Sequence, residues 1–162
     1  MTTDIRAAEP ADVLALAGVW HDGWHEAHAP LLPAELTRLR SRESFVPRLQ
    51  AMLREVWTAG PLADPLGFCA IKQDELYQLY VSAEARGTGL ADRLLQHAEN
   101  RIAAGGHRCA WLACAIGNQR AARFYERNGW VLRGTMQNAA ETAVGPYLLT
   151  VWRYEKVLMA TA

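Results

Sequence analysis

Apolar positions along the chain change their spacing twice. From Val13 they recur at three- and four-residue steps through Leu16, Ala17, Trp20 and Trp24, the stripe of an amphipathic helix. Glu9-Pro10-Ala11-Asp12 opens that helix with a proline in its first turn. Gly23 weakens its last turns, and Pro30 and Pro33 end it. Residues 36–53 predict one or two further helical pieces interrupted near Pro47. The spacing then shortens. Residues 5–8, 56–57, 66–71, 76–81, 109–116, 130–136 and 147–158 read as strands, and Lys72-Gln73-Asp74 is a polar connection suited to a hairpin. A second strong helical stripe, Leu90, Leu94, Leu95, Ala98 and Ile102, stops at Gly105-Gly106, and a short helix opens at Asn118 and closes at Gly129. Residues 137–145 form a polar loop between the last two strands. The order β-α-(α)-β-β-β-α-β-α-β-β predicts an α/β (α+β) fold around one mixed sheet, with parallel pairing where helices connect strands.

Composition narrows the classes without naming a chemistry. The 162 residues suit one domain over 1–162, with no repeat, low-complexity tract or linker. Seventeen basic and 17 acidic side chains cancel, which excludes the electrostatic footprint of a nucleic-acid binder and argues against docking on anionic membranes. No run approaches the roughly 18–20 apolar residues that cross a bilayer, and the early acid at Asp4 is foreign to a signal peptide. Cys69, Cys109 and Cys114 are an odd set without C-x-x-C spacing, fitting reduced core cysteines and a cytoplasmic setting.

The segment with chemical content follows the strand at 76–81. Arg86-Gly87-Thr88-Gly89-Leu90-Ala91 carries two glycines into the first turn of a helix, where unpaired N–H groups and the positive dipole end favour an anion such as a phosphate. Gly87 and Gly89 allow close backbone approach, Arg86 adds a cation, and small Ala91 keeps the first turn unobstructed. The P-loop pattern is absent, and the dinucleotide fingerprint fails because Asp92 occupies the place of its third glycine.

A second segment, Asn118-Gln119-Arg120-Ala121-Ala122-Arg123-Phe124-Tyr125-Glu126-Arg127-Asn128-Gly129-Trp130, joins a capping Asn to an aromatic pair and a terminal glycine. Together the two segments resemble the GNAT superfamily of acyl-CoA-dependent N-acyltransferases. Residues 86–91 fit its pyrophosphate loop R/Q-x-x-G-x-G/A, and Asn118 to Trp130 match N-x-x-A-x-x-F-Y-x-x-x-G-F/W at every defined position. The element order fits over essentially the whole chain. The resemblance implies a mixed, mostly antiparallel central sheet of six to seven strands flanked by helices, and acetyl-CoA as acyl donor without a metal. It implies that backbone groups of Leu79, Tyr80 and Val81 hold the pantetheine amides where their strand splays from its neighbour. The amides of Arg86, Gly87, Thr88, Gly89, Leu90 and Ala91 would hold the pyrophosphate, Asn118 would bond the pantetheine arm, and Tyr125 would protonate the departing thiolate. Family members often dimerise, so a homodimer is an expectation.

Acyl transfer to an amine also needs a proton acceptor. Glu75 shares the parity of Tyr77, Leu79 and Val81 at the start of the strand and is the candidate base; ordered water is the alternative. His21, His25 and His28 share one helical face, but the run lacks the H-E-x-x-H arrangement of a metal site. In the resembled fold this end of the helix overhangs the acceptor pocket, which makes Trp24, His25 and His28 candidate contacts for a small-molecule or peptide amine. Glu26, Glu35 and Glu141 lean toward a cationic acceptor. The competing reading is a catalytically silent acyl-CoA-binding module.

Overall fold

A computed structural model describes residues 3–158; Met1 and Thr2, on which the N-terminal and domain readings partly rest, and residues 159–162 lie outside them. Seven strands form one sheet in the order β1-β2-β3-β4-β5-β7-β6. They are β1 (Ile5–Ala7), β2 (Val56–Ala59), β3 (Gly67–Lys72), β4 (Glu75–Val81), β5 (Cys109–Ala115), β6 (Val131–Ala140) and β7 (Tyr147–Val157). The helices are α1 (Val13–His28), α2 (Ala34–Leu39), α3 (Phe45–Met52), α4 (Leu90–Ala104) and α5 (Gln119–Arg127). Every neighbouring pair is antiparallel except β4 and β5, which α4 connects. The strands joined by α5 do not pair, because β7 inserts between β5 and β6.

Side chains alternate across the sheet and feed two cores. Leu90, Leu94, Leu95, Ala98 and Ile102 of α4 pack with Cys69, Leu112 and Tyr154 on one face. Leu16, Trp20 and Trp24 of α1 and Phe45 and Leu49 of α3 pack with Phe68 and Ala70 on the other. Asp12, fully buried, fastens the start of α1: it accepts two hydrogen bonds from Arg6 (2.8 and 2.9 Å) and one each from the Glu9 and Ala63 amides. Arg6 chiefly, with those amides, holds the Asp12 carboxyl down at about 2.

Four local expectations change. Pro47 is the third residue of α3, in the first turn where its missing N–H is harmless, and does not interrupt the helix. Residues 137–140 extend β6, so the loop shrinks to 141–146. Cys69 and Cys114 are buried, but Cys109 is exposed at the start of β5. Helix α1 runs unbroken through Gly23, and the Tyr80 ring of β4 lies where a Cβ at that position would project. Glycine therefore sets the approach of α1 to the sheet.

Gly23→Ala decides between two effects. Alanine is the better helix former by about 1 kcal/mol, but the methyl group must push Tyr80 or α1 aside at a cost of about 1–3 kcal/mol. The overlap is deep enough that the clash wins, and denaturant titration should give a net loss of up to about 2 kcal/mol. A gain in stability would show that the two elements separate freely.

Candidate active site

Strands β4 and β5 pair at one position only, Glu75 with Trp111. Two bonds pin this end: the Trp111 amide donates to the Asp74 carbonyl (3.1 Å) and its indole to the Asp74 carboxylate (3.2 Å). Beyond it the strands diverge. Val81, Tyr80 and Leu79 pair with Gly67, Phe68 and Cys69 of β3 and have no partner on β5, so one backbone edge of β4 is left to a ligand. The wedge opens into a cleft of about 640 Å³ lined by β4, β5, the C-terminal part of α1, α2 and α5.

A register shift separates the pair Ala70–Gln78 from Ile71–Leu76 and leaves Tyr77 as the extra residue of a β-bulge. Side-chain parity breaks there. Leu76, Leu79 and Val81 pack on the α4 side, while Tyr77 and Tyr80 pack on the α1 side. The expected common face of Glu75, Tyr77, Leu79 and Val81 is thus corrected: Tyr77 turns away from Leu79 and Val81. Glu75 still lines the cleft, and burial pushes its carboxyl up to about 7, against the opposing pull of Lys72.

At the open end, Gly87 (φ +77°) and Gly89 (φ +84°) form the turn into α4. A Cβ at either would meet no protein atom within 4 Å, so neither glycine is there to make room for the protein; the positive φ is what demands them. Among the described residues, the amides of Gly87, Gly89, Ala91 and Asp92 donate to no protein acceptor, while Thr88 folds its hydroxyl back onto the Ala85 carbonyl. The turn therefore offers a nest of free N–H groups to an anion. Asp92 faces away, accepting from Asn128 (3.1 Å) and pairing with Arg127 (3.5 Å). Arg86 reaches across the mouth to Glu26 of α1, which also pairs with Arg120 of α5 (3.4 Å).

Tyr125 of α5 packs edge-on against Phe124 and Trp130 and lines the cleft. Burial, with Cys114 and Tyr80 adjacent, raises its phenol far above the ordinary value, so it holds its proton at any physiological pH. Asn118 caps α5 through its side-chain oxygen, which accepts from the Ala121 amide (3.3 Å), and its amide nitrogen is left over at the cleft wall. Cys114, read from the sequence as a reduced core cysteine, is buried at the cleft wall. Burial pushes its thiol up to about 12, which makes it inert.

The histidines separate. His28 lines the cleft beside Trp24 (ring centroids 5.5 Å apart), and burial brings it down to about 4, leaving it neutral. His25, unlike His28, is not among the residues that line the cleft. Its Nε2 bonds the Arg40 carbonyl (2.6 Å), and its ring lies 4.3 Å from that of His21. Among the described residues no group of three or more His, Cys, Asp or Glu is placed to hold a metal ion. Nor is any helix long and apolar enough to cross a membrane. Arg40 and Arg48 also line the cleft, and sequence reading missed both. Their signal was an arginine at an apolar-stripe position: Arg40 four residues after Leu36, and Arg48 between Phe45 and Met52 at helical spacing.

Comparison with known proteins adds to this geometry. The family model described as the acetyltransferase (GNAT) family matches residues 21–130. Among solved structures, the chain is similar to the GCN5-related N-acetyltransferase of Rhodopseudomonas palustris (21% identity, 98% of this chain and 97% of that one covered, TM-score 0.74). It is also similar to the PaiA N-acetyltransferase of Thermoplasma acidophilum in complex with coenzyme A (21%, 97% and 99%, 0.65). A third is YncA of Salmonella typhimurium with its cofactor acetyl-CoA (16%, 100% and 97%, 0.71). No curated protein matches the chain.

Proposed function

Since this chain belongs to the GNAT family of acetyltransferases, we propose that it is a single-domain enzyme that moves an acetyl group from acetyl-CoA to an amine by direct attack. The observation that carries this reading is the single-point pairing of β4 and β5, which leaves a strand edge, a cleft and a nest of amides in one line. An extended pantetheine chain suits the free edge at Leu79, Tyr80 and Val81. Its diphosphate suits the turn from Arg86 through Gly87, Thr88, Gly89 and Leu90 to Ala91, and Asn118 has a spare amide group for the arm. Solved structures of the same fold that hold coenzyme A or acetyl-CoA support the donor.

In the proposed reaction the neutral amine attacks the thioester carbonyl carbon. A free β4 amide stabilises the developing oxyanion. The carbon–sulfur bond then breaks, and the Tyr125 hydroxyl supplies the proton that converts the thiolate to the free thiol. Glu75 accepts the proton shed by the amine, directly or through one water, and the phenolate regains its proton from that side, so that, starting from the neutral amine, both groups return to their resting states with no net release of a proton. The inert Cys114 removes the obvious acyl-enzyme alternative. Trp24 and His28 form the wall against which the amine rests; neutral His28 neither repels an ammonium nor competes for the proton.

Two measurements test the assignments. Tyr125→Phe should lower kcat by roughly 10²–10⁴-fold with nearly unchanged acetyl-CoA affinity, followed as thiol release and by calorimetry. Tight acetyl-CoA binding without turnover of any amine by the wild type would instead indicate a silent binding module. For Glu75 the base form is the ionised one, so kcat/KM should rise with pH through about 7 and level off above it. Glu75→Gln should abolish that limb and lower the plateau. The same raised value means that folding must increasingly strain against the ionised group as pH climbs from 4.5 to about 7. Glu75→Gln should therefore raise Tm at pH 8 and leave it almost unchanged at pH 4. An unaltered pH profile in the variant would reassign the proton acceptor to solvent.

A further inference from the structure

Two arginines line the cleft with no carboxylate partner among the described residues. Arg40, at the end of α2, is 3% exposed; its guanidinium lies over the Trp24 ring at 5.8 Å, and its one side-chain hydrogen bond runs from a terminal nitrogen to the Glu141 main-chain carbonyl (2.5 Å). Its Nε is buried with no partner. Arg48 of α3 lies over the Trp20 ring at 4.2 Å and donates to the Tyr77 hydroxyl (3.1 Å), while its Nε and Nη1 are buried with no partner beyond those aromatic faces. Among the described residues neither guanidinium forms an ion pair. Glu141, the carboxylate whose charge acts on Arg40, is exposed and turned to Lys72 (3.8 Å).

A buried cation with no counter-charge and with unmade hydrogen bonds is costly, and proteins ordinarily supply its partner. Here the partner is not in the chain. Nor is it the donor's diphosphate. Arg48 bonds Tyr77, whereas the glycine turn follows Val81, four strand residues and roughly 13 Å farther along β4. The acids that suggested a cationic acceptor are engaged or remote: Glu26 with Arg86 and Arg120, Glu141 with Lys72, and Glu35 exposed on α2. A planar guanidinium fork presents its donors at the spacing of a carboxylate's two oxygens.

We propose that the acceptor is an amine bearing a carboxylate, that is, an amino acid or a close analogue, whose carboxylate binds Arg40 and Arg48 at the end of the cleft beside Tyr77 while its amine faces Glu75 and Tyr125. This rests on the acetyltransferase reading and names the substrate class of that same site. Arg40 and Arg48 are then specificity residues: they touch the acceptor's carboxylate and take no part in moving the proton. The pairing also brings the cleft's surplus positive charge back to balance only when the acceptor is present.

The test uses products, so it does not depend on turnover. Wild-type protein, with and without saturating coenzyme A, is titrated calorimetrically with N-acetylglycine, N-acetylphenylalanine and N-acetylglutamine and with the corresponding C-terminal amides. At least one acid should bind ten-fold or more tightly than its amide. Arg40→Met and Arg48→Met should each bring that ratio to within about three-fold, and Arg40→Lys should restore part of it. The acid–amide comparison is made within the wild type, so a variant that fails to fold leaves it intact. Equal binding of every acid and amide, or binding of none, overturns the inference. Failure of coenzyme A to bind while the acids still discriminate would overturn the donor reading and leave the arginine site standing.

Discussion

The pairing of β4 with β5 holds at Glu75 and Trp111 and nowhere further along the strands, and the rest of the site is arranged around that constraint. The closed end is fixed twice by Asp74, through the backbone and the indole of Trp111. The open end is fixed by β3, which pairs with β4 along its other edge as far as Val81. Two strands held at one end and separately supported at the other must gape. The gap leaves β4 backbone groups facing solvent, a cost that a continuous sheet would not bear and that an extended amide-bearing ligand can offset. The Tyr77 bulge adds the second half of the design. By shifting parity it sends Tyr77 and Tyr80 toward α1 and α3, and Leu76 and Leu79 toward α4, so one strand anchors both cores and still lines the cleft.

Charge in this molecule is organised locally and not in bulk. Seventeen cations and 17 anions cancel, yet the two ends of the cleft differ. At the mouth, Glu26 ties Arg86 of the turn to Arg120 of α5. Glu26 is half exposed, and pairs of that kind contribute little net stability. An incoming diphosphate could therefore take over Arg86 at small cost, while the turn amides have no competing acceptor to release. At the inner end Arg40 is buried and Arg48 half-buried with two buried nitrogens, and neither is ion-paired, so an anion arriving there gains much more from each contact than one at the surface.

Legibility followed the range of the interaction. The α4 stripe, the glycine turn and the Asn118 to Trp130 segment are local patterns, and all three stand where the sequence places them, because each is governed by neighbours within about one helical turn. What depended on distant contacts was hidden. Gly23 looks like a helix breaker until Tyr80, 57 positions along by residue number, is seen to occupy its missing side chain. The parity of Glu75 looks regular until pairing with β3 forces an extra residue at Tyr77. His25 looks equivalent to His28 on one helical face, yet the Arg40 carbonyl claims one ring and the cleft receives the other. Arg40 and Arg48 were legible as anomalies, cations inside apolar stripes, but their meaning needed the inventory of partners they lack.

The proposed acid and base draw on the same physical cause with opposite consequences. Both Glu75 and Tyr125 are raised chiefly by burial, since a low-dielectric surrounding disfavours whichever form is charged. For the carboxyl, the rise carries it from a value where it would be permanently ionised to one near neutrality, where it can accept a proton strongly and still be found empty. For the phenol, the rise moves it further from neutrality, which keeps its proton in place at rest, as the proposed role of acid requires. No separate tuning device is required for either group. The wedge beside β4 is also what sets the proposed base and acid to opposite resting states, so in the proposed reaction the geometry of binding and the chemistry of transfer both trace to the single pairing at Glu75 and Trp111.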